Sequence, residues 1–324
     1  MNENPLPLSR DRLDELANDH SLPFFLISEE GLKKSAEEIN KLFSWVPGGF
    51  QNFFDVKALP NPYVLKILHK KGMGCKCFSL TELFLAESAG LWGADLHFTS
   101  QSASLADIKR ARQMGAIITL DSFSHLYHLE QIGLPDLLSF SYNPSADESQ
   151  NGLNRDKLED AYRRAKQKGV SSFGLMIKVN GKNPGTEDYI RAVQEVLSTA
   201  ADLNNELTIN FDFVGFGCDG TGPGFDCHAL SRAMKKLYTQ FIVGNAMKPP
   251  RIYFESGPIL STPNSWLISD SLKQIEGGEI SREDYLTRPG ELLLQEDGSI
   301  IRIRRKERLE DYYSTLELDE LDSI

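Results

Sequence analysis

Residues 53–62 read Phe53-Phe54-Asp55-Val56-Lys57-Ala58-Leu59-Pro60-Asn61-Pro62. An apolar run ends on a lysine, and Pro-Asn-Pro then turns the chain out of the strand, because each proline lacks an N–H and fixes φ. A strand ending this way delivers its last side chains to one end of a sheet. In a closed barrel, that end is the mouth where catalytic groups gather. A lysine partly buried there loses solvation, which lowers its pKa and frees the amine to attack an aldehyde. The plainer alternative is a lysine whose stem packs on apolar neighbours while its ammonium reaches water. The segment alone leaves both open.

Outward from this stretch, short apolar runs alternate with amphipathic ones. Asn52–Val56, Cys75–Phe78, Leu96–Thr99, Ile117–Leu120, Leu137–Phe140, Phe173–Val179, Ile209–Gly215 and Arg251–Phe254 read as strands. Helical patterns lie between them at Pro62–Lys71, Leu80–Ala89, Asp156–Lys168 and Thr186–Leu203; the last carries Ile190, Val193, Val196 and Leu197 at helical spacing. Eight strand–helix units are the content of a (β/α)8 barrel. A doubly wound open sheet shows the same alternation, so alternation alone does not choose between them.

Three segments are expected. Residues 1–23 form an N-terminal segment with a polar helix, Leu8–Asp19, leading into a Pro-broken strand, Pro23–Ile27. Residues 24–262 form the barrel. Residues 263–324 hold a helical patch (Ser265–Gln274), a charged connector (Gly277–Pro289) and an acidic, helical tail (Glu307–Ile324). Between connector and tail, Glu291–Gln295 and Ile300–Arg304 flank Asp297-Gly298, a turn dipeptide that marks a hairpin.

The length of 324 residues suits one barrel of about 250 residues plus extra segments. A formal net charge of −11 disfavours nucleic acid and anionic membranes as main partners. It leaves room for an anionic cofactor, which local geometry holds. No apolar run approaches the roughly 18 residues that span a membrane. The opening Met1–Leu16 lacks a basic-then-apolar leader, so a cytoplasmic location is expected. The cysteines, Cys75, Cys77, Cys218 and Cys227, have poor zinc spacings. They are expected to be reduced and mostly buried, with no metal.

The motifs together resemble a family. Phe54 through Pro62 is similar to the lysine motif of the fold-type III enzymes dependent on pyridoxal 5'-phosphate (PLP), which share an alanine racemase-like barrel. The likeness is strongest to diaminopimelate decarboxylase and its ornithine/arginine decarboxylase relatives. Cys77-Phe78-Ser79-Leu80-Thr81-Glu82-Leu83, Leu120-Asp121-Ser122 and Tyr142-Asn143-Pro144 resemble later blocks of that family, in order. Val214-Gly215-Phe216-Gly217-Cys218 resembles its Gly-rich phosphate loop, where the lack of a Cβ lets backbone N–H groups close on the phosphate. An ordinary turn has the same pattern, and Gly220–Gly224 is a second such stretch. Phe254-Glu255-Ser256-Gly257-Pro258 resembles the block whose glutamate pairs with the pyridine nitrogen. That pairing keeps the ring protonated and makes it an electron sink.

The resemblance implies Lys57 as the catalytic Schiff-base lysine. It assigns Ser79, Gly215, Phe216, Gly217, Glu255 and Gly257 to the cofactor beside it. Met176 and Lys178 are candidates for ring stacking or substrate contact, because the strand-six block carries no histidine. Other positions depart too: Lys76 stands where an acidic residue is expected, and Pro258 where an arginine is. The stretch after Leu260 is short for the family's C-terminal β domain, and no cysteine follows Cys227 to supply its Cys-containing catalytic loop. The implied activity is decarboxylation of an amino acid, most like that of diaminopimelate decarboxylase in lysine biosynthesis, with a homodimer as the possible assembly. A catalytically impaired, PLP-binding regulator and an amino-acid racemase are the alternatives.

Overall fold

A computed structural model describes residues 5–20, 22–99, 103–145, 152–179, 181, 183–217, 224–268 and 290–303. Eight parallel strands close on themselves: β2 (Phe50–Asp55), β3 (Gly74–Cys77), β4 (Leu96–Phe98), β5 (Ile117–Leu120), β6 (Leu137–Tyr142), β7 (Ser172–Lys178), β8 (Phe211–Gly217) and β9 (Arg251–Glu255). Closure comes from β2, which pairs with both β3 and β9. The barrel reading therefore holds over the open sheet. Each strand is covered on both faces, which is why it reads as an apolar run and not as an alternation.

Helices wrap the barrel: α2 (Glu29–Leu42), α3 (Pro62–His69), α4 (Leu80–Ser88), α5 (Leu105–Gln113), α6 (Phe123–Ile132), α7 (Arg155–Gln167), α8 (Thr186–Leu207), α9 (Cys227–Tyr238) and the short α10 (Gly257–Ser261), with α1 (Arg10–Asp19) preceding them. Local chemistry starts them. Asn61 caps α3 by accepting from the Tyr63 N–H at 3.0 Å, and Pro62 takes the first turn, where its missing N–H costs nothing.

Two apolar layers result. Between barrel and helices lie side chains such as Phe54, Phe140, Tyr189, Phe216 and Phe254. Inside the barrel, Phe53, Ile117, Met176, Phe213 and Tyr253 plug the lower interior, with Phe213 and Tyr253 stacked 4.0 Å apart.

A second sheet corrects two expectations. Strand β1 (Phe24–Ser28), which the 24–262 division places in the barrel, lies instead in a four-stranded sheet. Its order is β10 (Ser265–Ile268), β1, β11 (Gly290–Leu294), β12 (Ile300–Ile303). The proposed helix Ser265–Gln274 begins as strand β10, because Ser265–Ile268 finds an antiparallel partner in β1; residues 269–274 lie outside the described residues. The hairpin at Asp297-Gly298 is present as β11–β12, with Gly298 at a φ of 81°. Gly277–Pro289 and Glu307–Ile324 lie outside the described residues. Ile27, Leu293 and Ile303 pack into the same core as the barrel–helix layer, so one face of this sheet rests on the barrel.

Candidate active site

The C-terminal ends of the barrel strands carry a polar layer above the apolar plug. Lys57 sits on a 3-10 turn, Val56–Ala58, directly after β2. Its side chain is half-buried and its Nζ lies 4.2 Å from the centre of the Phe78 ring. Such a cation–π contact is worth about 0.5–2 kcal/mol. Phe78 is positioned from below: its N–H donates to Glu82 Oε2 at 2.7 Å, while Ser79 caps α4 by accepting from the Glu82 N–H at 3.4 Å. Ser79, assigned to the cofactor by resemblance, thus has a helix cap to make.

Glu255 ends β9 and is buried. Its Oε2 is ion-paired with Lys76, which reaches inward from β3. Its Oε1 lies 3.3 Å from His97 Nδ1 without hydrogen-bond geometry, so both atoms are buried with no such partner. His97 Nε2 lies 2.6 Å from Thr119 Oγ1. Burial alone would raise the Glu255 carboxyl, but Lys76, seconded by His97, outweighs it and holds it down at about 2. Burial lowers His97, leaving the ring neutral at neutral pH. Asp121, which accepts from Thr99 Oγ1 at 3.2 Å, is pushed up by burial. Lys76 lies over Phe78 as well, 4.7 Å from the ring centre. Lys57, Phe78, Lys76, Glu255 and His97 therefore form one continuous cluster.

The glycines belong to this cluster in another way than expected. Gly215 and Gly217 are inside β8, not in a loop after it, because the ladder to β9 runs on to the Gly217–Glu255 pair. A Cβ at Gly217 would overlap the Glu255 carboxylate, and one at Gly215 would overlap Met176 Sδ. These glycines make room for neighbouring side chains. Cys218 and Gly220–Pro223 lie outside the described residues. Phe216 faces away from the interior and stacks on Phe254 at 4.8 Å, so its ring is core. Met176 is part of the apolar plug. Lys178 ends β7 in register with Gly217, its side chain exposed. Gly257 opens α10, where a Cβ would stand 2.6 Å from Asp55 Cβ.

His97, Thr119 and Thr99 escaped the sequence reading, although each is a polar residue within or ending an apolar strand run. Among the described residues no three His, Cys, Asp or Glu side chains gather as a metal site needs. Cys75 and Cys77 are buried free thiols, and burial raises both.

A half-buried amine, linked through Phe78 and Lys76 to a buried, ionised carboxylate with one oxygen lacking a hydrogen bond, is a donor set whose chemistry fits a pyridoxal group: an amine for its aldehyde and a carboxylate for its ring nitrogen. The comparisons agree. Residues 31–261 match the family described as "Pyridoxal-dependent decarboxylase, pyridoxal binding domain". Protein TabA of Pseudomonas amygdali pv. tabaci is 30% identical over 301 residues, covering 86% of this chain and 70% of TabA. Diaminopimelate decarboxylase of Thermoplasma acidophilum is 20% identical over 398 residues, covering 97% of this chain and 98% of that enzyme. Among solved structures, diaminopimelate decarboxylase of Helicobacter pylori complexed with L-lysine has the same fold, with a TM-score of 0.70 at 16% identity, over 96% of this chain and 100% of that one. With a family match that runs unbroken through the barrel and takes in Lys57 and Glu255, this chain belongs to the pyridoxal-dependent decarboxylases.

Proposed function

We propose that this protein binds PLP at the barrel mouth through Lys57 and removes the α-carboxylate of an amino acid of the diaminopimelate or ornithine type. The observation that carries the reading is the cluster at the ends of β2, β3 and β9, where a chain of contacts through Phe78 and Lys76 links Lys57 to the ionised Glu255. When bound, the cofactor supplies the electron sink for the pair left behind as CO2 departs. The chain supplies the rest. Lys57, on a turn followed by Pro60, Asn61 and Pro62, would hold the cofactor through its amine and, once free, could carry a proton to the substrate carbon. Glu255, whose Oε1 lacks a hydrogen bond, would be the group to hold the ring nitrogen. Asp121, raised by burial, stands close by and accepts from Thr99 Oγ1. The apolar plug of Phe53, Met176, Phe213 and Tyr253 floors the site and keeps water out from below.

With meso-diaminopimelate as substrate, the reading extends to lysine biosynthesis in the cytoplasm. The relatives named diaminopimelate decarboxylase support trying that substrate first; TabA, whose name states no reaction, argues for trying others. One observation favours a second reading. Lys76 occupies Glu255 Oε2, which suits a PLP barrel that binds without decarboxylating, or that only exchanges a proton as a racemase does.

The test begins with absorption. Wild type mixed with PLP should develop a visible band that Lys57→Ala lacks; no band in wild type rejects the proposal. Loaded protein is then given meso-diaminopimelate, ornithine, arginine and lysine. CO2 release supports decarboxylation. Loss of optical rotation without CO2 supports racemisation, and neither supports the silent binder.

A further inference from the structure

Glu255 does not face the mouth as a lone charge. Lys76 crosses the interior from β3, on the far side of β2, and ion-pairs with Oε2. The side chains of Lys76 and Glu255 are only 12% and 5% exposed, so water screens the pair weakly. His97, close to Oε1, is neutral, because burial opposes its charging. The ammonium therefore offsets much of the negative potential that the carboxylate would otherwise present on its Oε1 side.

A pyridine nitrogen keeps its proton only where the local potential is negative, since the protonated ring is a cation. Beside an unpaired buried carboxylate that condition holds strongly. Beside Glu255 as it stands, a second cation at Oε1 would share one carboxyl group with the Lys76 ammonium, and the two like charges would repel across it. Resting on the reading that a pyridoxal ring lies against Glu255, we infer that Lys76 is a positioning residue that neutralises Glu255 and leaves the bound ring nitrogen unprotonated. The ring is then a weaker electron sink than one held by a carboxylate alone. This role belongs to Lys76 and not to the strand, because its neighbours Cys75 and Cys77 are buried thiols whose charging burial opposes.

The experiment loads the full chain with PLP carrying 15N in the ring and reads the nitrogen chemical shift. Wild type and Lys76→Arg, which keeps the charge, are expected at the neutral-pyridine position. Lys76→Met should move the signal to the pyridinium position, since Glu255 then seeks another cation. Lys76→Gln, which leaves a donor on the carboxylate, carries the same expectation should the methionine variant fail to fold. Lys76→Met/Glu255→Gln should return the signal to the neutral position. A pyridinium signal in wild type, or one that neither Lys76→Met nor Lys76→Gln moves, overturns this role and leaves the cofactor reading standing. A wild type that takes up no PLP, or that is trapped by borohydride on a lysine other than Lys57, overturns both.

Discussion

Glu255 is ionised although it is nearly cut off from water, and that depends on Lys76. Its carboxyl is held at about 2, against 4.5 when exposed, so the unfolded chain takes up its proton first as acid is added. The stability it contributes is complete above pH 4.5 and drains away as pH falls towards 2. Removing one partner strands the other: Glu255→Gln is expected to cost about 3–5 kcal/mol in urea unfolding of the cofactor-free protein. The Lys76→Met/Glu255→Gln double variant should recover much of that and flatten the acid limb; a double variant as unstable as the single one would refute the pairing. Asp121 has the opposite sign. Burial raises it above its ordinary 3.8, so its charged form costs stability at neutral pH. Asp121→Asn should therefore be more stable than wild type at pH 7, with a gain that shrinks on acidification and is gone below 3.8. A constant gain across that range would place the effect in packing instead of charge. At this scale the sequence speaks unevenly. Lys57 and Glu255 could be read because each ends an apolar run within a recognisable motif. His97 could not, because one neutral polar residue in a three-residue strand, Leu96–Phe98, leaves no pattern.

The strands of the barrel were legible as elements for a physical reason. Each is buried on both faces and bounded by a turn or a helix cap, so its limits are written locally. Observed and expected strands differ at their ends by two residues or fewer, as with Phe50–Asp55 against Asn52–Val56. β10 was misread because Trp266, Leu267 and Ile268 satisfy a helical face as well as a strand, and only pairing with β1 decides. The glycines of β8 were misread for a related reason. A Gly-x-Gly reads as a turn unless a neighbour fills the space, and here Met176 and Glu255 do. Asn61 shows how one element end holds another. Its side chain caps α3 and also donates Nδ2–H to the buried Glu291 of β11 at 2.5 Å. Asn61→Ala should lose about 1 kcal/mol for the cap and about 1–3 kcal/mol for the donor taken from a buried carboxylate. Asn61→Ser should restore the cap alone. Urea midpoints of the three proteins order as wild type, serine, alanine; equal midpoints for serine and alanine would mean the cap contributes nothing.

The second sheet is assembled from chain segments far apart, Phe24–Ser28, Ser265–Ile268 and Gly290–Ile303, and no local signal announces such pairing. Its attachment to the barrel determines how the whole molecule unfolds. Leu293 and Ile303 are buried in the barrel's own core, Asn61 bonds Glu291, and Asn264 Nδ2 reaches Leu260 O at 2.8 Å and Ser35 Oγ at 2.9 Å. With these ties, neither part keeps its buried surface once the other opens. A chain of this length often unfolds in stages; this one is expected to unfold in a single step. The tryptophans allow a direct reading. Trp45, packed against Tyr238 and donating to Ser231 Oγ at 3.0 Å, reports the barrel, and Trp266 on β10 reports the sheet. In a Trp92→Phe background, proteins retaining only Trp45 or only Trp266 should give coincident urea transitions. Leu293→Ala, which opens a cavity between sheet and barrel, should shift both together by about 2–5 kcal/mol. Separation of the two curves, with Trp266 melting first, would mean that the sheet is a removable appendage and that Asn61–Glu291 does not bind it to the turn carrying Lys57.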